Sequence, residues 1–217
     1  NAPSTSPSMQ PTTHSPSSQP STKLEGIYSI VSFNSEADLP VESSVQGKAL
    51  NWLFNSINVL DFSDVELQQR YALATLLFSC TGAGTNATDI LSDDFHCNWP
   101  GITCGTDNMH VIEINVNLTL SDSAYNSVAV LPRKLALLSN SLANLIFPRC
   151  SVSGKIPTEL GLLSNLNLLL FESLFPPISA LVKSGALPSE FGLLSKLEHF
   201  PLWGVHSQDY FPQRLVS

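Results

Sequence analysis

The chain has 217 residues, with 18 acidic against 10 basic side chains and a formal charge of −8. That is one ordinary domain, or one domain with a tail. Its one adjacent basic pair, Arg133–Lys134, offers phosphate no cationic stripe, so no nucleic-acid partner is expected. The most apolar stretch, Leu160 to Val182, is interrupted by Asn165, Asn167, Glu172 and the pair Pro176–Pro177. Charge and broken backbone there exclude a transmembrane helix, so membrane attachment is expected only through segments absent from this chain. With no initiator Met and no signal peptide, the sequence reads as a mature chain or a fragment.

In chain order, residues 1–23 come first. The first 22 hold five Pro, seven Ser and four Thr and no charge. Such a segment has little to bury against the entropy of ordering, so a disordered tail is expected. Pro spaced among hydroxyl residues suits an O-glycosylated stalk; an unmodified linker is the alternative. Residues 24–47 read as a linker. From 48 to 79, Ala49, Leu50, Trp52 and Leu53, then Leu67, Tyr71, Leu73, Ala74 and Leu77, recur at helical spacing. Ser63-x-x-Glu66 is a capping-box pattern for the second helix. Two N-glycosylation triplets begin at Asn86 and Asn117.

The rest of the chain repeats itself. Residues 153–166, SGKIPTELGLLSNL, and 184–197, SGALPSEFGLLSKL, are identical at nine of fourteen positions with an offset of 31. A weaker copy occupies Leu131–Asn140, 25 residues before the first. Between the anchors, Leu142-x-x-Leu145-x-Phe147-x-x-Cys150-x-Val152-x-Gly154-x-Ile156-Pro157 follows the leucine-rich-repeat template. Its L-x-L core predicts a short parallel strand with two inward apolar side chains and an outward residue between them. A Leu-rich helical bundle does not explain G-x-[IL]-P recurring in frame, since Pro inside a helix costs about 3 kcal/mol.

On these residues the chain resembles the plant-type leucine-rich-repeat family, with the repeat families of diatoms similar in their Pro/Ser-rich tails and RYALATL-like helix. The resemblance covers roughly residues 48–205. It implies an α/β fold: a short right-handed leucine-rich-repeat solenoid with a helical N-terminal cap over 48–104 and degenerate repeats over 105–205. Residues 206–217 then form a tail, read as truncated. Cys97-Asn98-Trp99-Pro100-Gly101-Ile102-Thr103-Cys104 matches the family's cap motif C-x-W-x-G-[VI]-x-C. The match implies a Cys97–Cys104 disulfide, with Trp99 packed on the end of the first repeat. Closing that loop would stabilise the fold by about 2.5 kcal/mol. Zinc recruiting His96 or His110 to the two sulfurs is the alternative, disfavoured by the ligand spacing. Cys150 sits at the ladder position of a repeat, where a buried free thiol is favoured over a long-range bridge to Cys80.

The repeats depart from the family pattern. About ten extra residues follow the first strand, Val111-x-x-Ile114-x-Val116. Phe171–Lys183 carries an insertion, Leu174 takes a ladder position, and Pro201 falls inside the last strand. No nucleophile elbow, phosphate loop or metalloprotease motif occurs, and Asp93-Asp94-Phe95-His96 reads as a polar turn. No enzymatic activity, cofactor or metal is therefore expected. Outward strand residues, by contrast, would tile one surface about 4.8 Å per strand. The candidate ligand-binding set is Asn115, Asn117, Asn144, Ile146, Leu168, Leu170, His199 and Trp203. Its apolar middle suits a binding face, or else burial of Leu168 and Leu170 under the insertion. Stalk, glycosylation triplets and cysteine spacing together favour an extracellular or cell-surface location. The expected function is recognition of a protein or carbohydrate ligand by a receptor-like or surface protein. The alternatives are a secreted wall-associated or enzyme-inhibiting protein and a decayed fragment without function.

Overall fold

The computed structural model describes residues 21–31, 43–56, 59–80, 87, 90–115, 128–147, 151–153, 155–171 and 188–200. The tail before residue 21, Asn86, Asn117, Cys150, Trp203 and the 206–217 segment lie outside the described residues. Among the described residues three α-helices come first: α1 (Ser21–Val31), α2 (Val45–Phe54) and α3 (Asp64–Cys80). Six short strands follow among the same residues: β1 (Ile102–Cys104), β2 (Val111–Asn115), β3 (Val128–Val130), β4 (Asn144–Phe147), β5 (Ser151–Ser153) and β6 (Leu168–Phe171).

Helix α3 is the central post. Every residue from Leu67 to Leu77 except Gln68 is buried, as expected of a helix surrounded on all sides. Its start is fixed by the predicted capping box. The Ser63 backbone N–H donates to Glu66 Oε2 at 2.9 Å, and the Glu66 N–H donates back to Ser63 Oγ at 3.3 Å. Helix α2 is capped by Ser44, whose Oγ accepts from the Gly47 N–H at 3.0 Å, and it buries Ala49, Leu50 and Leu53. The span 24–47, read as a linker, departs from that expectation: α1 occupies its first part and packs on α3 with Ile27 and Val31 buried. Two carbonyls of its last turn find partners on other elements. Gln68 Nε2 donates to Ile30 O at 3.3 Å, and the buried Lys134 Nζ donates to Val31 O at 3.0 Å. These are the groups that a helix end leaves unsatisfied. Long-range partners of this kind leave no periodic trace in the sequence.

The main sheet has the order β1-β2-β4-β6. β1 pairs antiparallel with β2, whereas β2, β4 and β6 run parallel. Ile114, Leu145 and Leu169 stand in register and are all buried, so the inward row of the strands forms one side of the core. A second parallel pair joins β3 to β5.

The sequence copies fold alike. Pro132, Pro157 and Pro188 each precede a 3₁₀ turn. In each, the carbonyl of that Pro accepts from the amide three residues on, at 3.2, 3.2 and 3.0 Å respectively. Pro supplies the fixed φ for entering the turn and gives up an amide that has no partner there. Successive turns pack side by side, and an ideal Cβ on Gly161 would come within 2.5 Å of Glu190 O, so glycine is required there. The 31-residue spacing therefore matches one physical layer. Side chains run across the layers as well: Asn165 Nδ2 donates to Asn140 O at 2.9 Å, and Lys196 Nζ donates to Asn165 Oδ1 at 2.7 Å.

Candidate functional site

The outward face of the parallel strands is built by register. Glu113 stands opposite Asn144, Asn144 opposite Leu168, and an isolated bridge carries the row on to His199. A second row runs Asn115, Ile146, Leu170. Six of the eight residues proposed from sequence thus sit in two adjacent rows; Asn117 and Trp203 lie outside the described residues. Asn144 Nδ2 donates to Glu113 Oε2 at 2.9 Å, which gives one end of the first row a fixed polar group. Ile146, Leu168 and Leu170 are half-buried, and Asn115 and His199 are exposed. The insertion that would cover Leu168 and Leu170 lies outside the described residues for most of its length.

A second cluster closes the N-terminal edge of the sheet. Cys97 and Cys104 are joined by a disulfide with a Cα–Cα distance of 5.5 Å. The loop between them turns at Gly101, whose φ of 81° is open to glycine at little cost. The chain then returns as β1 alongside β2. Trp99 is buried, donates its Nε1–H to Asp94 O at 3.1 Å, and packs edge-on to Trp52 at 5.6 Å between ring centroids.

Arg70 is the centre of this cluster and is 1 % exposed. Its guanidinium lies 5.4 Å from the Trp52 ring, 4.6 Å from Phe62 and 4.9 Å from Trp99. It donates to Asp94 O at 2.8 Å and to Ser92 O at 2.9 Å. Burial pulls its pKa down, opposed by the carboxylates of Asp93, Glu66 and Asp94. Cation–π contact and two carbonyl acceptors together replace part of the water that the charge has lost, while the buried Nε has no hydrogen-bond partner.

His96, read as part of a polar turn, is instead fully buried. Its Nε2–H donates to Met109 O at 2.9 Å, and burial is the first cause holding its pKa below the ordinary value, with Arg70 adding to the effect. Gln69 fixes the same carbonyl, donating to Met109 O at 2.9 Å, while its Oε1 accepts from the Val111 N–H at 2.6 Å. Sequence reasoning missed Arg70 and Gln69, and met His96 only as part of a polar turn and as a disfavoured zinc ligand. A charged residue inside the apolar run LQQRYALATLLF was the available signal, because an arginine there has to find aromatic or carbonyl partners. His110 is held elsewhere, its Nδ1 paired with Asp107 in an exposed turn.

The free-thiol reading of the remaining cysteines needs correction. Cys80 is disulfide-bonded, and no cysteine among the described residues is free. The end of α3 is 1 % exposed at Cys80, so a bond there is shielded from reductant. Cys150 itself lies outside the described residues. Among the described residues no helix is long and apolar enough to cross a membrane. No protein-family model matches the chain, and no curated protein matches it significantly.

Proposed function

We propose that the chain is an extracellular recognition module: a short right-handed leucine-rich-repeat solenoid with a helical cap, binding a protein or carbohydrate ligand as part of a receptor-like or surface protein. Three features support the solenoid reading. They are the in-register parallel strands, the 3₁₀ turns that start at matched prolines, and the disulfide-closed C-x-W-x-G-x-x-C segment at the sheet's first edge.

One observation carries the functional part. Ile146, Leu168 and Leu170 stand side by side on the outward strand face, half-exposed, flanked by Asn115, the Glu113–Asn144 pair and His199. An apolar centre with a polar rim is the composition of a recognition surface. Its ligand contributes the matching apolar group and hydrogen-bonding partners for the rim.

The test uses the full chain, immobilised and presented with a panel of cell-wall polysaccharides and secreted proteins. A panel member should bind the native chain and fail to bind the Ile146→Glu/Leu170→Glu variant, whose urea midpoint should stay close to the parent's. Binding that survives both charges would reject the outward face as the site.

A further inference from the structure

The cap encloses a titratable ring that the recognition reading does not use. His96 is 0 % exposed, its centroid 4.6 Å from the Phe95 ring and 6.4 Å from the Trp99 ring. Met109 O can only accept, so the 2.9 Å contact fixes the ring proton on Nε2. Gln69 Nε2 donates to the same carbonyl from α3 at 2.9 Å, and its Oε1 accepts from the Val111 N–H. The Met109 carbonyl is thus the point where the cap loop, α3 and the start of β2 are tied together. The other ring nitrogen, Nδ1, is buried with no hydrogen-bond partner among the described residues. In the neutral ring it is a bare lone pair. A proton there would make a buried, charged N–H without an acceptor, the kind of group that a protein interior tolerates least.

We propose that His96 is an acid-operated latch of the cap: the neutral ring ties Met109 into the fold, and its protonation in a mildly acidic medium draws the ring out to water and frees the start of β2. Histidine suits the role because its charge changes between about pH 5 and 8.

The charged groups around the ring set the direction. From α3 come Arg70 and Glu66; from the loop before the disulfide, Asp93 and Asp94 act on Arg70; from the hairpin turn comes His110, paired with Asp107. Burial is the largest influence and disfavours charge on His96, and Arg70 and His110 add to it. The Met109 carbonyl and Glu66 favour the charge and are outweighed, so the pKa lies below the ordinary 6.5. A ring whose folded pKa is lowered binds fewer protons folded than unfolded. Its contribution to stability is therefore whole above about 6.5 and is lost as pH falls below that, until the folded value is reached. Each pH unit across that interval costs about tenfold in the folding constant. The latch belongs to the cap and does not depend on what the outward face of the sheet binds.

The experiment compares the full chain with His96→Gln, whose side-chain amide can still donate to Met109 O but does not titrate. Between about pH 7.5 and 5.5 the folding constant of the parent should fall about tenfold further than that of the variant. That is about 1.4 kcal/mol, or about 0.7 M in urea midpoint at an m-value of about 2 kcal/mol/M. The other histidines and all the carboxylates are common to both chains and cancel in the difference. Midpoints that fall in parallel would overturn the proposal. Two measurements on the wild-type chain need no variant. In an NMR titration the His96 ring should hold its neutral form below about pH 6.5, and a midpoint at or above that value would refute the latch. Exchange at the Val111 amide, corrected for its intrinsic rate, should quicken about tenfold over the same pH interval, and equal protection at both ends would refute it too.

Discussion

Gly161 and Gly192 occupy the same frame of the two matching sequence copies, yet their replacement by alanine should act in opposite directions. A Cβ on Gly161 would lie 2.5 Å from Glu190 O, 2.7 Å from its Cβ and 2.8 Å from its carbonyl carbon. Two of those atoms are backbone of the next 3₁₀ turn, which is held by Phe191 N–H to Pro188 O at 3.0 Å and by Leu194 N–H to Phe191 O at 3.1 Å. No flexible side chain can move aside. Bringing the first contact only to 3.0 Å requires the turn to retreat by about 0.5 Å (3.0 − 2.5), against the buried Phe191 and Leu194. Overpacking of this kind costs about 1–3 kcal/mol, and a rigid neighbour places Gly161→Ala towards the upper end. At Gly192 nothing lies within 4 Å, and neither glycine has positive φ. Gly192→Ala should therefore be neutral or stabilising by up to about 1 kcal/mol, through the unfolded chain. With a urea m-value of about 2 kcal/mol/M, the two midpoints should differ by about 1 M or more. Urea titration followed by far-ultraviolet circular dichroism reads this directly. Midpoints within about 0.3 M of each other would refute the layer packing on which the argument depends.

Other expectations follow from the cap and the cysteines. Arg70→Lys keeps the charge but loses the planar stacking and the second donor, and should lower stability by about 2–3 kcal/mol in the same urea assay; a variant as stable as the parent would remove the aromatic cluster from the account. Since Cys80 is bonded and Cys97 and Cys104 bond each other, a non-reducing peptide map should join Cys80 to Cys150, the fourth cysteine of the sequence. Recovery of Cys80 as a free thiol would contradict this. Asp107 accepts from the His110 ring and from the backbone N–H groups of His110 and Met109, which pull its pKa from 3.8 to about 2. Its contribution to stability is present above about 3.8 and lost as pH falls through about 2. An NMR titration should place the Asp107 midpoint near 2, and His110→Ala should move it up towards 3.8; a midpoint indifferent to His110 would refute the pairing.

What could be read from the sequence was what repeats or what is local. The SGxxP copies were visible because each layer needs the same proline entry, and that need recurs along the chain. The Ser63–Glu66 capping box was visible because both partners lie within one turn. The contacts of Arg70, Gln69 and His96 were not, because the backbone groups they bond lie 13 to 42 residues away, brought together only when α3 meets the cap loop. Helix α1 was missed for a related reason. Its buried side, with Ile27 and Val31, gains meaning only against α3, and its last carbonyls depend on Gln68 and Lys134. The outward rows of the sheet were legible in outline, since alternation along a strand follows from its pleat. Which of those rows a ligand touches depends on a second molecule that the sequence does not encode.

The two edges of the main sheet are not equivalent. At one, β1 runs antiparallel to β2 with the disulfide behind it, and Gln69 occupies the first β2 amide. At the other, the last rung among the described residues is a bridge from Leu168 to His199, beside a turn whose Leu193 is 60 % exposed. Thermal opening should therefore be directional, starting at residues 188–200 and travelling towards the cap like a zip with one stitched end. Amide exchange along the strands would then record a gradient of protection rather than a single value. In such a molecule the cap is the part that survives longest under stress, and the outward rows nearest it stay presentable after the far ones have frayed.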